Sequence, residues 1–565
     1  MTTNPSRTPH SIRDNSSQAK NLVLANGLQS RLIMVIFLLI VGFGSFVRLY
    51  QIGGQFVIDD EKHSIQALVW KSNTDILTHF SLPDKSDYCI PQTIFLKFVA
   101  EVFSLNEVNI RILSWIPGIL LLFAPLLFRD FLNRRTFVYY SIFLAIHPLM
   151  VLYSRNARPY MIGSVLVCFS LYCFYRYCQT GFRKFIIWYS VTASIAIYFH
   201  IMTAPTVLTP QLLLLASKYF RILPVKREFR WSDILLSWMI LGGLILVTMG
   251  PPLLNDFQCL LTKSTLTNVR LETIVKSIIL LSGVKKPVWS LLVLTVLGTG
   301  LIRLGRRDRT LFMIVVIPFI FQIVSVMLLK PINIRYAFVF TRYISWEIPL
   351  LLLTAAVGFS NDGLRPSRYM IYNKIGLVIV TVWVTLNPIF GILFRHNNFI
   401  IPYAFERTVH LEKQYVPRIY FELAKIKKDF SIAEMPWEYH KHFNRWMDYQ
   451  QIHRKDIYAV VGSAIDPNYR YDAWLKNKEG KNCLLRDKRL RFRKFVNLDD
   501  VMRNPLIRYV ILHKSPNTEY RGIRMNESGN DIGVIRDRIE QLGLIPVYKG
   551  NLIEAYRKPP VKNIH

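Results

Sequence analysis

The stretch that decides the fold reads Ile58-Asp59-Asp60-Glu61-Lys62-His63. It places three carboxylates and a histidine shortly after the first long apolar run of the chain, residues 32–50. Because charge is costly next to hydrocarbon, this cluster must face water or a polar pocket at a membrane surface. Two interpretations are open: a solvated loop of the kind that borders many membrane helices, or the acidic part of a functional site.

The composition is typical of a protein with several membrane spans. The chain has 565 residues, 52% of them hydrophobic, and its mean hydropathy is +0.26. A net charge of +33 would suggest nucleic acid in a soluble protein. Here many basic residues lie in short loops between apolar runs, without a nucleic-acid-binding motif, so we expect no nucleic-acid partner. The six cysteines form no CxxC pattern, which indicates neither a disulfide framework nor a metal site.

Eleven apolar runs are long enough, or nearly so, to cross a membrane. They lie at 32–50, 111–128, 136–153, 160–177, 184–200, 203–220, 232–250, 288–304, 310–329, 341–359 and 374–394. Residues 90–105 are apolar but short, and they contain Lys97 and Glu101. We interpret them as an amphipathic helix on the membrane surface, because every cytosolic loop is then basic, as the positive-inside rule requires.

This topology divides the chain into three parts. Residues 1–30 are polar and predict a disordered cytosolic tail. Residues 31–395 form a mostly α-helical membrane domain, with residues 51–110 as its first outer loop. Residues 396–565 are predicted to form an extracytoplasmic α/β domain, because short apolar runs in a mixed-charge sequence are typical of buried strands. The strongest signals are strands at 456–462 and 507–512, a helix at 534–542 and a turn between two strands at 547–552.

Four groups of residues fall on the outer side in this topology. The first is the acidic stretch, in which one of Asp59, Asp60 and Glu61 could take a proton from an attacking hydroxyl group. A neighbouring acid, or His63, could orient that carboxylate or change its pKa.

The other three groups are basic. Arg111 enters the second apolar run, and Arg155 and Arg158 occupy the short turn after the third. Each is either an anchor at the membrane interface or a partner for an anion, either phosphate or the acidic stretch. The last group consists of Arg342 and Tyr343 with Lys330 and Arg335 just before them; Glu347, inside an apolar run, should be paired, with Arg342 as the candidate partner. Guanidinium groups at this boundary suit a lipid-linked phosphate.

His200 lies at the outer end of the fifth apolar run. It is either an interface residue or a ligand, and a lone histidine in such a place is more often structural.

Four of these motifs resemble one family. Asp60-Glu61-Lys62-His63 is similar to the Asp-Glu motif of the GT-C glycosyltransferases, especially relatives of the protein O-mannosyltransferases and bacterial aminoarabinose transferases. The turn at 154–160 resembles their SRxARPY turn, Asn106-Glu107 with Arg111 resembles the end of their first outer loop, and Arg342-Tyr343 with Pro349 resembles a late RYxxxxxP segment. The resemblance covers about residues 31 to 395.

The resemblance implies transfer of one hexose or pentose from a polyprenyl-phosphate carrier to a glycan, lipid or protein acceptor outside the membrane. It implies Asp60 as the base, with Glu61 supporting it or binding acceptor. Arg111, Arg155, Arg158 and Arg342 become partners of the donor phosphate or of the acids. The additional Asp59 leaves open which aspartate is the base. No metal is needed if basic residues neutralise the leaving phosphate, but family members differ here, so a divalent metal stays open. The turn motif favours a bacterial plasma membrane.

Two alternatives belong to other functional classes. A transporter or flippase of a lipid-linked sugar should show repeated halves and paired broken helices, and neither is evident in the sequence. A membrane scaffold whose outer domain binds a partner would not need the acidic stretch and the arginine turn to fall on the same side.

Overall fold

The fold comes from a computed structural model, which describes residues 10–50, 52–54, 61, 72–82, 85–86, 89–103, 106, 108–220, 223, 229–262, 268–283, 287–331, 334–359, 375, 378–379, 417–428, 430–437, 452–453, 455–461, 492–496, 498–513, 532–550 and 553–559. Within these ranges the chain up to residue 359 is almost entirely helical, and a mixed sheet follows after residue 430.

The helices of the first part are α1 (His10–Leu49), α2 (Asn73–Thr78), α3 (Ile90–Val102), α4 (Ile112–Leu121), α5 (Ala124–Leu127), α6 (Arg134–Ile146), α7 (Pro148–Ser154), α8 (Tyr160–Thr180), α9 (Arg183–Phe199), α10 (Ala204–Phe220), α11 (Trp231–Thr262), α12 (Leu271–Leu281), α13 (Pro287–Arg307), α14 (Arg309–Leu329), α15 (Ala337–Ile344) and α16 (Ile348–Phe359). Short 3₁₀ turns lie at Ile52–Gly54, Asn109–Arg111, Ile201–Thr203 and Ser345–Glu347.

Five segments of the described residues are long and apolar enough to cross a membrane, or six if the bent pair α6–α7 forms one span. They are 29–49, 160–180, 231–258, 309–329 and 337–359. The chain is therefore an integral membrane protein. The count of eleven spans stays a prediction, since 184–200 and 203–220 correspond to helices of only 17 residues and 374–394 lies largely outside the described residues.

The ends of the outer-loop helices follow local sequence signals. Helix α2 begins with a capping box, in which Ser72 and Asp75 each accept from the other's backbone N–H. Helix α3 begins at Ile90 with Pro91 in its first turn, as the Ile90-Pro91 pair predicts. The strands β1 (Ser81–Leu82) and β2 (Lys85–Ser86) pair antiparallel between these helices. At the other end of the membrane domain, α1 begins at His10, inside the tail predicted to be disordered.

Two features of the bundle come from single residues. Pro148 follows the end of α6 and begins α7, and the two helices meet at an angle of 53°. Gly300 of α13 lies against the backbone of α16, where an added Cβ would come within 2.0 Å of the Thr354 carbonyl oxygen. A glycine at this point therefore lets two helices approach to backbone contact.

The sheet of the second part has the strand order β5-β4-β3-β6-β8-β7. Its strands are β3 (Ser431–Trp437), β4 (Asp456–Val461), β5 (Phe492–Val496), β6 (Ile507–His513), β7 (Ile545–Lys549) and β8 (Ile553–Arg557). The first four are parallel, and β8 and β7 add antiparallel to β6. Helices α17 (Arg418–Lys425), α18 (Leu498–Arg503) and α19 (Ile532–Gln541) accompany the sheet. The predicted strands at 456–462 and 507–512 and the helix at 534–542 are confirmed over their described residues. Of the turn predicted at 547–552, residues 547–549 belong to β7, and residues 551–552 lie outside the described residues.

Candidate active site

Glu61 and Arg111 form a fully buried ion pair, with both side chains 0% exposed. Arg111 donates from Nε to Glu61 Oε1 and from Nη2 to Oε2, each over 2.9 Å. Its Nη1 donates to the Ile52 carbonyl oxygen over 3.0 Å. Such a fork fixes the orientation of a carboxylate as well as its charge. One acid of the predicted stretch is thus held in place by the arginine that begins the second apolar run.

The turn between α7 and α8 contacts the same carboxylate through its backbone. The Ala157 N–H donates to Glu61 Oε1 over 2.6 Å. The turn is itself held by two buried side chains, since Gln92 of α3 donates to the Ala157 carbonyl oxygen and Ser114 of α4 donates to that of Asn156. The acidic stretch, the first outer loop and the arginine turn therefore meet at Glu61.

A second buried arginine supports this junction from within the bundle. Arg48, near the end of α1, is 0% exposed and donates to the carbonyl oxygens of Gly44, Leu144 and Ala145 and to Ser154 Oγ. Arg155 in turn donates to the carbonyl oxygens of Arg48 and Tyr50 over 3.0 and 2.7 Å. Apart from the carbonyl group of Gly44, which lies inside α1, the carbonyl groups that these arginines contact are at the ends of α1 and α6, where intrahelical partners run out. Arg155 joins the turn to the end of α1.

An aromatic and cationic cluster lies beside the turn, where α8, α9 and α15 end or begin. The Arg342 guanidinium lies over the rings of Tyr160 and Phe338, at 5.4 and 5.0 Å from their centroids. The His200 ring lies 5.0 Å from Trp346 and 5.9 Å from Tyr343. Stacking on aromatic faces holds a guanidinium in place while its edge stays able to donate hydrogen bonds.

Glu347 behind this cluster is fully buried and accepts a hydrogen bond from Thr206 Oγ1 over 3.0 Å. Among the described residues this is its partner, rather than Arg342. Thr206 Oγ1 also lies 3.0 Å from Gln322 Oε1, so its single hydrogen is shared between the two acceptors. The Gln322 amide donates to the carbonyl oxygens of Met202 and Tyr343. This network fixes the break between α15 and α16, and with it the place of Arg342.

A separate cavity of about 340 Å³ lies beside Arg335, and Lys330 is outside its lining. Arg335 lines it together with Arg270 and Lys276, and its guanidinium stacks on Tyr336 at 5.0 Å. Lys330 ends α14 with a φ of 44° and donates from Nζ to Asn268 over 2.7 Å. Three cations and one acid, Glu272, thus line one opening beside α15, and Lys276 is paired with that acid. The two remaining guanidinium groups suit an anionic group.

Three residues of the predicted site, Asp59, Asp60 and His63, lie outside the described residues. In the part of the chain that is described, no group of three or more His, Cys, Asp or Glu side chains could hold a metal ion. The roles predicted for the acidic stretch and for the arginines stay predictions.

Several residues of this region were not singled out by the sequence. Gln92 and Ser114 hold the turn through hydrogen bonds to its backbone. A polar residue in an apolar helix does not indicate from sequence which backbone group it will contact. Arg48 did carry a signal, because an arginine near the end of a membrane span is expensive unless it has partners. Arg270 and Lys276 lie in a loop that the predicted topology puts on the outer side, where basic residues run against the trend of the other loops.

Solved structures share this architecture. The structure of ArnT from Cupriavidus metallidurans in the apo state has a TM-score of 0.51 and 13% identity, covering 94% of this chain and 98% of that chain. Its structure bound to undecaprenyl phosphate has a TM-score of 0.50 and 11% identity, with the same coverage. The protein has the GT-C fold.

The GT-C fold agrees with the resemblance found in the motifs, and the comparison covers 94% of this chain. At this level of identity the comparison shows the fold alone. No family model matches the sequence, and no curated protein does so.

Proposed function

We propose that this protein is a membrane glycosyltransferase that moves one sugar from a polyprenyl-phosphate carrier to an acceptor outside the cytosol. The observation that supports this proposal most is the set of contacts at Glu61. Arg111 and the Ala157 N–H hold this carboxylate of the acidic stretch in place. A solvated loop would not need a buried, fully ordered acid. The GT-C fold is shared with ArnT, of which one structure is bound to undecaprenyl phosphate.

In the proposed reaction an acceptor hydroxyl oxygen attacks the anomeric carbon of the donor sugar. The bond between that carbon and the phosphate oxygen breaks, and polyprenyl phosphate leaves with the electron pair. Asp60 takes the hydroxyl proton as general base. The Glu61 carboxylate accepts two hydrogen bonds from a guanidinium group and one from a backbone N–H. We therefore assign it a positioning role and assign proton transfer to Asp60. Asp59 is the second candidate for the base.

The leaving phosphate requires cations, and the structure offers two groups of them along α15. Arg342 stands with Arg158 beside the aromatic cluster, and Arg335 lies with Arg270 and Lys276 at the basic cavity. Guanidinium groups stabilise charge that develops on phosphate oxygens as the sugar departs. We place the carrier phosphate on this side of the site, with its prenyl chain toward the lipid.

The decisive experiment supplies membranes that contain the protein with radiolabelled polyprenyl-phosphate sugars of several kinds. Wild type is compared with Asp60→Asn, and Asp59→Asn is the matched control. We expect Asp60→Asn to lower transfer about 100-fold or more, as loss of a general base does, at unchanged protein amount. Asp59→Asn should keep most of the activity.

The outcomes separate the possibilities. Equal transfer by wild type and Asp60→Asn would overturn Asp60 as the base, and loss in Asp59→Asn alone would assign the role to its neighbour. If no donor supports transfer but the labelled lipid moves across the membrane, the protein is a flippase and the proposed enzymatic function is refuted.

A further inference from the structure

His200 lies where the outer end of α9 meets the aromatic cluster. The helix ends at Phe199, and His200 takes an extended conformation before the 3₁₀ turn Ile201–Thr203. The residue is partly exposed. Its ring is enclosed by Trp346 at 5.0 Å, Tyr343 at 5.9 Å and Tyr160 at 6.0 Å. The imidazole is therefore held in one orientation by aromatic walls.

The hydrogen bonds of the ring define its tautomer. The Met202 N–H donates to His200 Nδ1 over 3.2 Å. A ring nitrogen that accepts a hydrogen bond carries no proton, so in the neutral ring the proton is on Nε2. Within the part of the chain that the structure describes, Nε2 has no hydrogen-bond partner. The histidine thus presents one oriented N–H donor away from its own backbone.

The surroundings of this donor are cationic. The charges of Arg158 and Arg342 both act on the His200 ring. Arg342 is stacked over Tyr160, which is also a wall of the histidine. A neutral donor between two guanidinium groups adds a hydrogen bond to a bound anion without adding a third charge that would repel the other two.

We propose that His200 donates from Nε2 to a non-bridging oxygen of the carrier phosphate, between Arg158 and Arg342. This inference rests on the proposed function and names a further residue that binds the donor. The alternative is that His200 only packs against the aromatic rings, in which case Nε2 makes no difference to phosphate binding.

Two substitutions distinguish phosphate binding from packing, because each places a polar group near only one of the two ring nitrogens. His200→Gln brings an amide N–H close to the position of Nε2. His200→Asn keeps an acceptor near the position of Nδ1, and its shorter amide N–H does not reach the position of Nε2. Binding of undecaprenyl phosphate is measured on the purified full-length protein in detergent, together with the KM and kcat of sugar transfer. The melting temperature of each variant reports on packing.

We expect His200→Asn to weaken binding of undecaprenyl phosphate about 10- to 100-fold, the range of a hydrogen bond to a charged group. The KM for the donor should rise by a similar factor, and His200→Gln should recover most of the loss. Equal binding by wild type and both variants would overturn the role of His200, whatever the melting temperatures show. Equal loss in both variants with lowered melting temperatures would assign it to packing. Failure of wild type itself to bind or transfer would instead refute the proposed function.

Discussion

Glu61 is the residue of the acidic stretch that the structure describes, and its carboxylate is fully engaged. Glu61 has both oxygens engaged, by two guanidinium bonds and one backbone N–H. Removing two charges from water is expensive, and the pair is tolerated because its geometry is bidentate and both partners are satisfied. The arrangement makes this carboxylate an anchor that connects Glu61 with Arg111 and with the turn at Ala157.

The first prediction follows from this burial. Arg111→Met leaves Glu61 buried without its guanidinium, and we expect it to lower the free energy of unfolding by about 3–5 kcal/mol. Thermal unfolding of the detergent-solubilised protein measures the change. Arg129→Met, at an exposed position, is the control and should be within about 0.5 kcal/mol of wild type. A loss of similar size in both variants would contradict the ion pair as the cause.

At the scale of elements, the close approach of α13 and α16 depends on Gly300. An added Cβ would meet the Thr354 carbonyl oxygen at 2.0 Å, a distance that a rigid helix backbone cannot relieve by a change of rotamer. Helix α16 continues the segment that holds Arg342 and Glu347. Packing deep in the bundle is therefore connected with the placement of the cationic cluster.

The second prediction compares two glycines of the same helix. Gly300→Ala should force α13 away from α16 and lower the melting temperature. Gly298→Ala has open space around the new methyl group and should be neutral or stabilising by up to about 1 kcal/mol. Melting temperatures of both variants test this directly. Equal effects would show that helix propensity, rather than contact with Thr354, decides the outcome.

What the sequence could predict differs between elements for physical reasons. The position of β6 was predictable from the apolar run at 507–512, and the start of α3 was predictable from the Ile90-Pro91 pair. Both patterns are local in the sequence. The outer location of the acidic stretch stays a prediction from charge, whereas the link from Arg111 to an acid was among the options and is present as the pair with Glu61. The hydrogen bond from the Ala157 N–H to Glu61 could not be predicted, because almost every residue type carries the same backbone N–H group. The contribution of Gln92 depends on tertiary contact alone.

At the scale of the whole molecule, the two parts of the chain differ in chemistry. The membrane domain is stabilised by apolar packing and by arginines on carbonyl groups. The outer sheet contains buried ionisable groups, among them His453, which stacks on Tyr420 at 5.5 Å and accepts from the Lys455 N–H. Burial, and then the charge of Lys455, lowers the pKa of His453 to about 3.

The third prediction concerns pH. Since the folded pKa of His453 is below its unfolded value of about 6.5, the unfolded state binds more protons between those two pH values, and the stability of the outer sheet falls as pH falls. The slope from this group is at most about 1.4 kcal/mol per pH unit. Limited proteolysis of the intact protein at pH 7 and pH 5 measures the opening of the sheet. His453→Gln should open less on acidification than wild type; an unchanged pH response would refute the assignment.

The fourth prediction concerns orientation in the membrane. We expect the outer sheet and the acidic stretch on the extracytoplasmic side. In a protein without native cysteines, Lys549→Cys in β7 should react with a membrane-impermeant maleimide in intact cells, and Arg135→Cys at the start of α6 should not. The reverse pattern would invert the topology and remove the basis of the proposed site.

The order of the junction along the chain has a consequence for biosynthesis. Residues 61, 111 and 157 all emerge from the ribosome before any part of α9 to α16, and chains fold from the N-terminus during synthesis. Glu61 can therefore be neutralised by Arg111 as soon as the first helices enter the bilayer, while Arg342 is still to be translated. Glu61 and Arg111 are thus paired early in synthesis, and the acid has its partner before the late arginine arrives.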